Sequence, residues 1–136
     1  MASDLTTYIY RDMRAISGHD QIALAAFAEA WNQKPQKKEV ILQQLQGKVI
    51  PEYQLFVAAA SKVHPATPEV RGLHNILVKS AHLRLQAFQH LAEGQRDQTE
   101  IWKYGVNGLF QTADAYERLF QQSVSTLAGD QGVRMP

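Results

Sequence analysis

There is no cysteine in this 136-residue chain. Disulfides, thiolate nucleophiles and Cys-ligated zinc are excluded at once, while the compartment stays open, because cytosolic and exported bacterial proteins can both do without cysteine. Excess charge of either sign is missing too: fourteen basic residues stand against thirteen acidic ones, a formal net charge of +1. No face collects lysine and arginine at the density a phosphate backbone demands, so nucleic acid is not an expected partner. The longest unbroken apolar run, Ile22 to Ala28, falls far short of the roughly 20 residues that span a bilayer. The opening MASDLTTYIY lacks a basic segment followed by an apolar one, so no export leader is legible. The expected location is extracytoplasmic or at the cell envelope if a leader has been removed, and cytoplasmic otherwise.

What the chain does have is helical periodicity, from one end to the other, at the length of one ordinary domain. From Ser3 to about Gln33, Leu5, Ile9, Met13, Ile16, Ala23, Phe27 and Ala30 make one apolar stripe, with Ser3 as N-cap. The stripe is interrupted at Ser17-Gly18-His19-Asp20, where glycine costs about 1 kcal/mol relative to alanine and Asp20 takes a stripe position. A weak point is expected there. A polar connection around Pro35 follows, then a helix from about Gln36 to Val63 carrying Leu42, Leu45, Val49, Tyr53, Phe56, Ala60 and Val63. Pro51 lies inside it without breaking the phase of the stripe, which predicts a bend over Gly47 to Pro51 rather than an end.

Thr67-Pro68-Glu69 is the strongest helix-start signal: an N-cap threonine, proline at the first helical position and an acid in the first turn. The third helix, about 68–93, carries Val70, His74, Leu77, Ala81, Leu85, Phe88 and Leu91 to a C-cap at Gly94. Asp97 to Glu100 reads as a capping box opening a fourth helix, about 98–128, with Trp102, Gly105, Leu109, Ala113, Tyr116, Phe120 and Leu127 on its stripe and Gly129 at its end. The tail from Asp130 to Pro136 is expected to be disordered. Four helices of similar length joined by short turns predict an all-α, antiparallel up-down-up-down four-helix bundle in one domain over residues 1–136.

Folding the chain about its connections sets His74 opposite Ala58-Ala59-Ala60, with Asp12 of the first helix and Tyr116 and Glu117 of the fourth near the same level. A buried imidazole needs a partner, so an interior polar cluster of His74 with Asp12, Tyr116 or Glu117 is expected. Gly18, Pro51 and Ser80 fall at one level near mid-height, with Gly108 a turn away, and predict a waist where packing is thinner and backbones bend; the plainer account is that small residues let the helices approach closely.

Signatures of chemistry are sparse. His74, His82 and His90 are eight apart, turning each by about 80° from the last, so they cannot converge on one ion. No Glu-x-x-His pair of the di-iron type and no Cys-x-x-Cys-His is present. Phosphotransfer bundles place lysine three and glycine four residues after the histidine; His82 is followed there by Leu85 and Gln86. No catalytic, cofactor-binding or metal residue is assigned, and a non-enzymatic module for an unknown protein or small ligand is expected, with a second copy of the chain among the candidate partners. The alternative is a histidine-based phosphorelay or metal-binding bundle at His74 or His82.

From about Ala30 to Leu127 the chain resembles the helical-bundle domains of uncharacterised bacterial secreted proteins and predicted lipoproteins. The resemblance is carried by Val49-Ile50-Pro51-Glu52-Tyr53, Thr67-Pro68-Glu69-Val70 with Leu73-His74, Gln86-Ala87-Phe88 and the turn at Asp97. It implies an all-helical domain tethered near the cell envelope and brings no activity with it. A leader and a lipid-attachment cysteine, part of that pattern, are not found in this sequence.

Overall fold

Apolar residues recurring every three or four positions can hide from water only on helices, and the chain is all-helical. The computed structural model describes residues 2–32, 37–97 and 102–136, and among them every regular element is a helix. The described helical residues fall in four stretches, 2–31, 38–61, Pro68–Asp97 and Trp102–Gln131, the first to fourth helices below. The turn at Pro35, the start of a helix at Gln36, the capping box over Gln98–Glu100 and the Trp102 side chain lie outside the described residues. None of the described helices is long and apolar enough to cross a membrane.

Each of the first two helices contains one π turn, at Tyr8–Asp12 and at Leu45–Val49. The second lies just ahead of Pro51, which has no N–H and whose ring presses on the carbonyl four residues back; widening the preceding turn accommodates both defects. The weak point expected at Ser17–Asp20 is instead regular helix within Met13–Trp31, and the irregular turn comes earlier. A glycine penalty of about 1 kcal/mol is too small to break a helix whose flanks, Ile16 and Ala23, are buried.

Several helix ends differ from expectation. Ser3 lies inside the first helix, which starts at Ala2. Gly94 is buried within the third helix, which continues to Asp97, because the packing of Leu91 and Ala92 outweighs glycine's modest cost. The fourth helix passes Gly129 and stops at Gln131. There Gly132 adopts φ +68°, Val133 N–H donates to the Ala128 carbonyl at 2.8 Å and Gly132 N–H to that of Gly129 at 3.4 Å, a Schellman closure. The tail expected to be disordered is therefore held: Val133 packs on the core, and the Tyr10 hydroxyl donates to the Arg134 carbonyl.

The core has two parts. The larger gathers Ile16, Ala23, Leu45, Val49, Tyr53, Phe56, Leu77, Phe88 and Val106; Phe88 is its aromatic centre, 5.0 Å from Phe27, 5.5 Å from Tyr53 and 5.3 Å from Phe110 by ring centroids. The smaller joins Leu5, Tyr8 and Ile9 to Val70, Leu73, Val124 and Ala128. Met13, Val63 and Phe120 pack against both. On the fourth helix the buried face runs through Val106, Ala113, Val124 and Ala128: Ala113 is as expected, while Val106 is buried in place of its exposed neighbour Gly105, since valine loses more from exposure than glycine. The proposed waist is not built from close approach: a methyl group added at Gly18 or Gly108 would meet nothing within 4 Å. Ser80 does bridge helices, donating from Oγ to the Ala113 carbonyl at 2.8 Å.

Candidate functional site

His74 sits one helical turn below Val78 on the inward face of the third helix and is 4% exposed. Its Nε2 lies 2.6 Å from the Ala60 carbonyl, which can only accept, so Nε2 carries the proton; Nδ1 then accepts from the Tyr8 hydroxyl at 2.9 Å. Ala60 is in the last turn of the second helix, where its carbonyl also accepts from Val63 N–H at 3.2 Å, and the imidazole is a second donor to it. Burial lowers the His74 pKa from its ordinary value, opposed by the Ala60 bond and the Asp12 charge and assisted by His64. Burial, aided by Asp12, keeps the Tyr8 phenol protonated well beyond its usual range. The result is a neutral histidine with both nitrogens occupied. Its opposition to Ala60 agrees with the sequence reading, but its side-chain partner is Tyr8, not Asp12, Tyr116 or Glu117.

Those three residues are engaged elsewhere. Asp12 accepts from Arg11 Nε at 3.2 Å. Tyr116 lies under Lys79, whose Nζ is 4.8 Å from the ring centroid. Glu117 belongs to a second cluster, centred on Arg84, that crosses all four helices. Arg84 Nη2 donates to Asp114 at 2.7 Å and to Glu117 at 2.9 Å, and Nη1 donates to the Tyr53 hydroxyl at 3.4 Å. The Tyr53 hydroxyl in turn bonds Asp20 of the first helix, whose other oxygen, Oδ1, is buried without a partner. Burial works against the guanidinium charge, but Tyr53, Glu117 and Asp114 together raise its pKa beyond the ordinary arginine range. Burial raises Asp20; Arg84 counters it, Glu117 reinforces it, and the Tyr53 bond counters it again. The Arg84 side chain is 6% exposed against 59% for Asp114, so the network is closed at its cation and open to water at one anion.

Sequence reasoning missed Tyr8, Tyr53 and Arg84 as polar partners, though a signal existed. Leu77, Ala81, Arg84, Phe88 and Leu91 follow a spacing of four, three, four and three, so Arg84 occupies a core position. Asp20 and Glu117 likewise lie in their helices' apolar rows. Polar residues in core rows at one level are a network written in the sequence; only the pairing of helices was needed to read it.

The other histidines lie apart. His19 pairs with Glu52 at 2.9 Å and His90 with Glu93 at 3.4 Å, while His82 and His64 are exposed. Among the described residues no group of three or more His, Cys, Asp or Glu is placed to hold a metal ion. Fold and clusters together define an all-helical chain whose buried polar residues His74, Ser80 and Arg84 each bond to a neighbouring helix. The chain matches no protein-family model, no curated protein and no solved structure.

Proposed function

We propose that the chain is a non-enzymatic interaction module, an antiparallel up-down-up-down four-helix bundle with its second helix bent near Pro51. The topology is supported by contacts that pair residues in opposite chain order: Asp4 with Thr67 and His19 with Glu52, then Ala60 with His74 and Tyr53 with Arg84, then Leu73 beside Leu127 and Phe88 against Phe110. The bend is supported by the π turn at Leu45–Val49. One observation carries the functional reading. His74, the histidine best placed for interior chemistry, is buried, neutral and bonded at both nitrogens. A nucleophile, phosphoryl acceptor or metal ligand needs a free nitrogen lone pair that a reactant can reach. Leu55 and Leu119, about half exposed, offer apolar contact area on the outside. An extracytoplasmic, envelope-associated setting in a bacterium is supported by the resemblance carried by the second and third helices.

The rival class, a phosphorelay or metal-binding bundle, rests on His82, which is exposed on the third helix. Purified protein incubated with phosphoramidate, and separately with zinc, separates the two readings. Intact mass and metal analysis are expected to show neither stable phosphorylation nor stoichiometric metal. A phosphoryl group that disappears in His82→Ala, or one bound metal per chain, overturns the proposal.

A further inference from the structure

The start of the third helix and the end of the fourth form an open groove of about 440 Å³. Its apolar part comes from Leu73, Leu119 and Leu127, its acidic part from Glu69 and Asp130, and no basic side chain lines it. The groove is polarised. Glu69 stands in the first turn of the third helix and Asp130 in the last turn of the fourth, while Leu119, 45% exposed, lies eleven residues earlier. At 1.5 Å per residue that separation is about 16 Å, three turns of helix.

Glu69 is well placed for its own helix, whose N-terminal end favours negative charge. Asp130 is not. It sits at the negative end of the fourth helix, in a last turn with no basic residue, an arrangement a nearby cation would relieve. That end of the groove thus presents negative charge and is lined by no basic side chain.

We propose, building on the interaction-module reading, that the groove docks an amphipathic helix of a partner protein. An apolar side chain of the partner lies on Leu119, and lysine or arginine about three turns along reaches Glu69 and Asp130. Helix-in-groove binding uses such spaced anchors, and the charge at one end fixes the direction of the partner.

The test is selection of a displayed library of random helix-forming peptides on the immobilised protein, with counter-selection on Leu119→Asp. Enriched peptides are expected to carry Lys or Arg about three turns from Leu, Phe or Met. Their binding, read by fluorescence polarisation, is expected to weaken at least tenfold for Leu119→Asp and for the Glu69→Lys/Asp130→Lys pair, and to weaken with added salt. Thr126→Arg, at an exposed groove position, provides a second lesion should either variant lose its far-UV circular dichroism. Enrichment without basic residues, failure to enrich, or affinity indifferent to these variants overturns the proposal. So does equal, variant-sensitive binding to phosphatidylglycerol vesicles, which would make a membrane the occupant. Failure here, with no phosphoryl or metal uptake, removes this surface and leaves the module reading standing; uptake removes the module reading itself.

Discussion

Arg84 is the residue on which most polar groups converge, and its replacement is the sharpest single test of the interior. Removing one member of a buried charge network leaves the rest uncompensated, at about 3–5 kcal/mol in dry surroundings. Asp114 and Glu117 reach water, so Arg84→Met is expected to cost about 3 kcal/mol in urea unfolding. Arg84→Lys is expected to recover little, since an ammonium cannot fork towards Tyr53 and both carboxylates. Proton linkage gives a second test. His74 resists protonation when folded, whereas the unfolded chain takes up the proton near 6.5. Its contribution is therefore complete above that pH and is lost as the pH falls through it. Between pH 7.5 and 5.5 the wild type is expected to lose more stability than His74→Gln. Asp20 acts with the opposite sign: its folded pKa lies above 3.8, so its ionisation costs stability as the pH rises past that value. Asp20→Asn is expected to gain on the wild type between pH 4 and pH 7; a constant difference would refute the assignment.

For the helices as elements, two glycines make a paired prediction. Gly18 lies in regular helix with open space where a methyl group would go, so Gly18→Ala is expected to stabilise by about 0.5–1 kcal/mol. Gly132 has positive φ in the Schellman closure, so Gly132→Ala is expected to destabilise by about 1 kcal/mol. Urea midpoints of both variants, moving in opposite directions, check the pair. The element scale is also where the sequence was most legible. The apolar rows of the first three helices and the disturbance around Pro51 follow from spacing alone. Helix ends were less so, because Ser3, Gly94 and Gly129 carry end signals of about 1 kcal/mol that neighbouring burial overrides. The closure at Gly132 depends on a backbone angle rather than a residue pattern. The His74 site was half legible: its level against Ala60 follows from chain length, whereas Tyr8 was hidden because it lies off the apolar row of Leu5, Ile9 and Met13. Thr67 holds the expected N-cap position, its carbonyl accepting from Arg71 N–H at 2.9 Å, but its side chain is used elsewhere. Its hydroxyl donates to Asp4 at 2.6 Å, so the turn into the third helix is held by the first.

On the scale of the whole molecule, the two core clusters communicate through Met13, Val63 and Phe120. Asp4 adds a polar link, accepting from the Ala66 and Thr67 amides at 3.2 and 2.8 Å. A core joined in this way is expected to unfold in one step, with coincident urea transitions by far-UV circular dichroism and tryptophan fluorescence. Phe120→Ala removes an aromatic bridge that also contacts Tyr8 at 6.3 Å between centroids, and is expected to separate the two transitions. Transitions that stay coincident in that variant would locate the coupling elsewhere. The Arg84 network has a further implication for how this sequence can vary among descendants. One guanidinium serves three residues from two helices and, through Tyr53, a fourth on another helix. Loss of Arg84 alone strands the carboxylates and the Tyr53 hydroxyl it serves, so a single replacement there is disfavoured and compensated ones persist. Positions 20, 53, 84, 114 and 117 should therefore drift together, with an apolar residue at 84 accompanied by loss of the acids at 20 and 117.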